Sequence, residues 1–581
     1  MSSLSATPSG PGELTDGFHL LVDALKLNGV NTIYGLVGIP ITDLARLAQA
    51  SGIRFIGFRH ETSAGNAAAA AGFLTRRPGV CLTVSAPGFL NGLVALANAT
   101  ANCFPMIQIS GSGDRALVDL QRGDYEELDQ LGAARPFAKA AYRITRAADI
   151  GRGVARAIRT AVSGRPGGVY LDVPGAVLAE AIDAATAAGT LWRVVDPAPR
   201  QLPAPEAVES ALKLLAQARR PLVVLGKGAA YAQADDVIRQ FVETAGVPYL
   251  PMSMAKGLLP DSHPQSVAAA RSLALARADV VMLVGARLNW LLGHGDPPRW
   301  SAGVKFIQVD IEASEFDSNQ PIAAPLAGDV GSVMVALLDG LRDHPIVVPQ
   351  AWTRELAERR ARNDAAMRER LDEDAHPMRF YGALRAVRDV LERHPRVYVV
   401  NEGANALDVA RNVLDMQMAR HRLDAGTWGV MGIGMGYAIA AAVETGAPVV
   451  AIVGDSAFGF SAMDFETICR YRLPVAVVIL NNGGIYRGDE PTISGTDPAP
   501  TVLSAHARHE LIAEAFGGKG YHVTTPAGLR SALTDALACG DPAIVDCELD
   551  PAAGQESGHL TTLNPRSAAT PAPKNPDPGS G

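Results

Sequence analysis

The sequence predicts an α/β chain built from three doubly wound parallel sheets, each open and covered by helices on both faces. Two observations predict it. Short continuous apolar runs alternate with alanine-rich helical stretches in three successive blocks, the pattern of strands buried on both faces. The blocks are divided by a proline-rich stretch, Asp196-Pro-Ala-Pro-Arg-Gln-Leu-Pro-Ala-Pro205, and by a charged helix-favouring stretch over 352–374. A length of 581 residues agrees, being about three or four domains by the usual prior.

In the first block, 15–190, strands are expected at 32–36, 54–58, 79–85, 106–110 and 168–173, with helices at 66–74 and 150–162. The second, 205–345, has strand patterns at 221–225, 280–284 and 305–309. The third, 370–552, has them at 396–400, 448–453, 474–480 and 543–547. Residues 1–14 and the Pro-, Ala- and Gly-rich tail after 563 lack an apolar period and are expected to be disordered, with 553–581 as a lid segment and tail. There is no short internal repeat.

Composition narrows the function. The chain is 48% hydrophobic and 19% charged, which allows a large core. Its net charge of -8 argues against a general nucleic-acid or anionic-membrane binder. The N-terminus has no basic start and apolar core of a signal peptide, and no run reaches the length of a membrane helix. Five cysteines without metal-ligand spacing suit buried free thiols in a reducing cytoplasm, the expected location.

Chemistry enters at two strand ends. Pro448-Val-Val-Ala-Ile-Val-Gly454 leads into Asp455, and Pro474-Val-Ala-Val-Val-Ile-Leu480 into Asn481-Asn482. An Asp and an Asn at the carboxyl ends of neighbouring parallel strands can hold a hard divalent cation through oxygen, and that ion can bind a diphosphate. A helix cap at Asp455 and an Asn-Asn-Gly-Gly turn would explain the same letters. Upstream, Arg59-His-Glu-Thr-Ser-Ala-Gly65 puts Glu61 between an apolar run and a small-residue helix. The glycines of Asp424-Ala-Gly-Thr-Trp-Gly-Val-Met-Gly-Ile-Gly434 let backbone approach a flat ring closely. In the second block, Leu225-Gly-Lys-Gly-Ala-Ala230 ends a strand with glycines, and Asp310 follows another, the place for a carboxylate that accepts from ribose hydroxyls.

The strand-end pair resembles the Gly-Asp-Gly…Asn-Asn signature of thiamine diphosphate (ThDP) enzymes, with Ser456 where that pattern has Gly. Ser85-Ala-Pro-Gly88 is similar to the Gly-Pro-Gly turn of the same superfamily, with Ala86 in place of Gly. Six further segments resemble the oxalyl-CoA decarboxylase family: 34–40, 123–130, 259–265, 318–325, 401–408 and 481–488. The likeness spans about 14–563. It implies a pyrimidine-binding, a middle and a diphosphate-binding domain, and decarboxylation of oxalyl-CoA to formyl-CoA and CO2.

By position in that family, Glu61 would activate the aminopyrimidine, and Asp455, Asn482 and Gly484 would bind Mg2+. Tyr381, Ala404, Asn405, Val430, Met431, Gly432, Gly454, Ser456 and Ala457 would hold ThDP, with Met431 as the bulky residue that keeps it bent. Tyr125, Glu126, Tyr486 and Ser557 would join Glu61 in catalysis, and Ile39, Asn363, Arg411, Asn412, Glu556 and Gly558 would contact the CoA substrate. Arg165, Lys227, Arg287, Asp310, Asp329 and Val330 resemble an ADP site that activates the enzyme. The resemblance also implies that Glu61 and Asp455 of one site come from different subunits, so a homodimer is the minimum and a tetramer is expected. A 2-hydroxyacyl-CoA lyase and an acetolactate synthase share this cofactor and fold, and a catalytically dead ADP-binding scaffold is the reading from another class. Glu126, where acetolactate-synthase-like relatives have Gln, disfavours the synthase, and intact Glu61, Asp455 and Asn482 disfavour the scaffold.

Overall fold

The computed structural model describes residues 13–373, 375–492 and 495–556. Each apolar run becomes a strand buried on both faces, and three parallel sheets of 6, 5 and 6 strands form in chain order. The first runs Arg54–Gly57, Thr32–Gly35, Gly79–Thr83, Met106–Ser112, Gly168–Pro174, Ala140–Arg143 across the sheet. The second runs Tyr249–Pro251, Pro221–Leu225, Val280–Val284, Lys305–Asp310, Ile322–Ala327. The third runs Arg422–Asp424, Tyr398–Glu402, Val449–Gly454, Val475–Asn481, Ala543–Glu548, Lys519–Val523.

Numbered within their own blocks, the strands of the first and third sheets stand in one order, 2-1-3-4-6-5. A chain without sequence repeats therefore contains the same architecture twice. In each copy the order reverses between the first and third strands, which opens a crevice at their carboxyl ends. Residues 36–41 and 84–88 border that crevice in the first sheet, and 403–405 and 455 in the third.

The helix Glu61–Thr75 joins the two copies. Its run of alanines is buried, and it packs on the helix Gly434–Thr445. The approach is backbone-close: a Cβ on Gly436 would lie 2.5 Å from the Ser63 carbonyl oxygen. The same core continues into the middle sheet, so apolar residues of all three blocks form one cluster. At the middle sheet's crevice, a Cβ on Gly226 would lie 2.1 Å from the Gly285 carbonyl.

Several expectations change. Leu14 is not disordered: Leu14–Asp16 pairs antiparallel with Ala181–Asp183, while 1–12 lie outside the described residues. Besides that antiparallel pair, the strands absent from the sequence reading are Ala140–Arg143, Tyr249–Pro251, Ile322–Ala327, Arg422–Asp424 and Lys519–Val523. All five are edge strands, which need no two-sided apolar run and so carry little pattern. Cys81 and Cys547 are buried free thiols as expected, whereas Cys539 is exposed. Among the described residues no helix is long and apolar enough to cross a membrane.

Candidate active site in two halves

The first half lies at the carboxyl edge of the first sheet. The strand Arg54–Gly57 ends, His60 caps the next helix by accepting from the Thr62 N–H at 3.2 Å, and Glu61 becomes its first residue, 6% exposed. The Asn91 side-chain amide donates to Glu61 Oε2 at 3.0 Å. Gly88 makes room for that carboxyl, since a Cβ there would lie 3.0 Å from Glu61 Oε1. Beside it the Ser85 hydroxyl donates to the Glu126 carboxylate. Glu126 is held at a φ of +53°, a left-handed conformation that a non-glycine residue adopts only under local constraint. Gln130 supplies part of that constraint. Its Oε1 accepts from Ala86 N at 2.7 Å, and its Nε2 donates to Gly111 O at 3.0 Å and Tyr170 Oη at 2.8 Å. Ile39 and Tyr125 stand on the same edge, 67% and 66% exposed. A hydrogen bond to Glu126 raises the Tyr125 phenol above its ordinary pKa.

The second half lies at the corresponding edge of the third sheet, where Asp455 is 5% exposed. Its carboxylate accepts from the N–H groups of Ser456 at 2.8 Å and Gly484 at 3.1 Å. Burial pushes its pKa up to about 6, against these hydrogen bonds and the charge of His509. A buried carboxylate oxygen at a strand end has the chemistry of a hard-cation ligand. Asn482 is also buried, and its amide nitrogen donates to the Tyr486 carbonyl at 2.8 Å. Glu402, at the end of the strand Tyr398–Glu402, is fully buried. Desolvation pushes its carboxyl up to about 7, opposed by backbone N–H bonds from Gly432, Ile433 and Gly434.

Asp455, Asn482 and Gly484 line a cleft of about 1970 Å³ with Ala404, Asn405, Met431, Gly454, Ser456, Ala457 and Tyr486. Gly454 borders open space, since a Cβ there would meet nothing within 4 Å, and Gly403 holds a φ of +107° that favours glycine. The cleft continues past Asn363, Arg411 and Asn412 to Arg165, Lys227, Arg287, Asp310, Asp329 and Val330 on the middle domain. Asn363 donates to Ala269 O at 2.5 Å, and Asn412 to Asp408 O at 2.9 Å. The segment just before the tail crosses this region. A Cβ on Gly554 would lie 1.5 Å from the Tyr486 carbonyl oxygen, and the Gln555 N–H donates to Asn405 Oδ1 at 3.0 Å.

Not every expected residue is brought in. Glu61, Ile39, Tyr125 and Glu126 do not line this cleft; within one chain the two halves stand apart. Tyr381, Val430, Gly432 and Glu556 are not among its lining residues either. Tyr381 is half-buried, with the Arg370 guanidinium 5.9 Å from its ring centre. Ser557 and Gly558 lie outside the described residues. Lys227 lines the middle-domain end of the cleft, where its ammonium donates to Asn102 Oδ1 at 2.5 Å and the glycines that flank it pack the turn against Gly285. Arg287 similarly donates to the Ala101 carbonyl at 3.0 Å, and Arg165 pairs with Glu315 at 2.8 Å and Asp310 at 3.4 Å.

Four residues escaped the sequence reading, Glu402 among them. Asn91 has no local signal at its distance from Glu61. Arg271 and Arg299 line the cleft near Arg411, and the mutual repulsion adds to burial in pushing the Arg271 guanidinium down to about 10. The Arg411 Nε is buried without a hydrogen-bond partner. Such a cationic cluster is completed by an anion. Arg271, one of two arginines inside the alanine-rich stretch 268–278, is the signal that was there to find.

Residues 15–133 match the thiamine pyrophosphate enzyme N-terminal TPP binding domain, 208–337 the central domain and 403–547 the C-terminal TPP binding domain. The chain belongs to the thiamine pyrophosphate enzyme family. Within it, the chain is 60% identical to an oxalyl-CoA decarboxylase of Escherichia coli (strain K12) over 96% of its own length and 99% of the relative's. It is 46% identical to a 2-hydroxyacyl-CoA lyase of Oryza sativa subsp. japonica, over 94% and 98%, and 41% to the 2-hydroxyacyl-CoA lyase 1 of Homo sapiens, over 94% and 96%. The first and third sheets are thus the family's two TPP-binding domains.

Proposed function

We propose that this chain is a carboxy-lyase that decarboxylates oxalyl-CoA to formyl-CoA and CO2 with ThDP. The observation that carries the reading is the end-to-end likeness to an oxalyl-CoA decarboxylase, 60% against 46% for the 2-hydroxyacyl-CoA lyase over nearly the same span. When bound, the cofactor supplies the electron sink for the pair left by departing CO2. The chain's residues supply the rest.

Asp455, Asn482 and Gly484 would hold Mg2+ for the diphosphate. The buried, backbone-bonded carboxylate of Asp455 suits a hard cation. Ala404, Asn405, Gly454, Ser456 and Ala457 surround that end, and Met431 sets the ring conformation. Glu61, oriented by Asn91, would hold a proton at its carboxyl for the aminopyrimidine nitrogen. Tyr125, Tyr486 and Ser557 donate hydrogen bonds to the oxalyl group, with Glu126 and Ile39 walling the pocket. The Ser85 hydrogen bond fixes where the Glu126 carboxylate stands. Arg411, Asn412, Asn363, Glu556 and Gly558 contact CoA, and Arg271 and Arg299 add charge for its phosphates. ADP occupies the middle-domain end of the cleft, against Arg165, Asp310, Asp329 and Val330, and raises activity.

The half-sites join across a homodimer, which a tetramer repeats. Exposed apolar side chains flank both halves and suit burial against a second copy: Val37, Ile39 and Leu90 on one, Trp428, Phe460 and Met463 on the other. Protein stripped of cofactor and reconstituted with ThDP and Mg2+ should release CO2 from oxalyl-CoA, more so with ADP. Cleavage of 2-hydroxyacyl-CoAs with no CO2 from oxalyl-CoA would replace this reading with the lyase.

A further inference from the structure

Glu402 is the last residue of a central strand and wholly enclosed, yet its carboxylate meets backbone. It accepts from the N–H groups of Gly432, Ile433 and Gly434, the last at 2.6 Å. Those three donors belong to the turn that follows Met431 and opens the helix Gly434–Thr445. Three converging N–H groups exceed what one hydroxyl or amide oxygen accepts well, whereas the two oxygens of a carboxylate have lone pairs for all of them. The positive end of the 12-residue helix favours the same charge. The fit is two-sided. Gly432 holds a φ of +88°, and a Cβ on Gly434 would lie 2.8 Å from Glu402 Oε2 and 3.1 Å from Val453 Cγ1. The next residue, Gly403, brings the strand end against Gly454, beside Asp455.

We propose that Glu402 is a positioning residue: its carboxylate, gripped by the three N–H groups, fixes the turn that presents Met431 to the cofactor's rings. The inference rests on the ThDP reading above and assigns to it a carboxylate that touches neither substrate nor cofactor. A helix cap alone would stabilise the fold without selecting the cofactor's conformation. The two roles therefore separate in the cofactor's own signals.

The test titrates cofactor-free protein with ThDP at saturating Mg2+, following tryptophan fluorescence, for which Trp428 lies in the same loop. Near-ultraviolet circular dichroism of the loaded protein is recorded alongside, with kcat and KM for oxalyl-CoA. Glu402→Gln should weaken ThDP binding about 10–100-fold, alter the dichroism and lower kcat with KM little changed. Gly434→Ala displaces the carboxylate from the other side and should do the same, so the test survives if one variant does not fold. Wild-type affinity and dichroism in the variants would overturn the role of Glu402. A wild-type protein that takes up no ThDP would overturn the function proposed above instead.

Discussion

The Lys227 ammonium lies 2.5 Å from the side-chain oxygen of Asn102, and this bond fastens the middle domain to the first. The same oxygen accepts from the Thr427 N–H at 2.8 Å, and the Trp290 indole donates to the Thr427 carbonyl at 2.8 Å. Thr427 lies in the loop that leads to Met431. All three domains therefore meet at one amide, a few residues from the cofactor turn. Asn102→Ala removes the acceptor and strands a buried ammonium, at a cost of about 2–3 kcal/mol. The urea midpoint should fall, and adding Lys227→Met should recover part of the loss. Additive losses in the double variant would show that the pair does not act as a unit.

Burial pushes the Lys227 ammonium down to about 8 from 10.5. The unfolded chain keeps this proton up to the higher value and the folded chain releases it near the lower. Between them the unfolded state binds more protons, so stability rises with pH. The penalty is complete below about pH 8 and gone above about 10.5. Urea midpoints of the wild type should climb toward those of Lys227→Met across this window; parallel curves would refute the assignment.

If each centre takes Glu61 from one subunit and Asp455 from its partner, two inactive chains can repair one another. Glu61→Gln and Asp455→Ala should each abolish turnover alone. Co-expressed in equal amounts, half the dimers are mixed and each has one intact centre, so about a quarter of wild-type activity should return. Strict inactivity of properly assembled mixed dimers would mean that each centre is built within a single chain.

Gly554 rests its backbone on the Tyr486 carbonyl, with no space for a Cβ. Gly554→Ala should therefore lift the segment 551–556 from the cleft while the sheets stay intact. KM for oxalyl-CoA should rise about tenfold, and proteolysis beyond residue 550 should quicken. Unchanged values for both would mean that this segment does not bear on the substrate.

The sheets were legible wherever a strand is a continuous apolar run of four or more residues. Val449–Gly454 and Val475–Asn481 are plain in the sequence, while Arg422–Asp424 and Lys519–Val523 are edge strands with little apolar pattern. Asp455 and Asn482 could be read because local strand ends place them. Asn91 and Glu402 could not, since each matters through a partner 30 residues away in sequence. The setting of Lys227 was out of reach for a related reason: its flanking glycines pack against Gly285 and its ammonium bonds Asn102, partners far away in sequence.

The alanine and glycine seam between Glu61–Thr75 and Gly434–Thr445 brings the helices so close that Gly436 meets Ser63 backbone to backbone, which leaves little room to slide. Hinge closure between the two cofactor-binding units is therefore not how this molecule admits a ligand as large as CoA. Traffic falls to the rim, to 483–490 and 551–556, while the plate beneath them stays still.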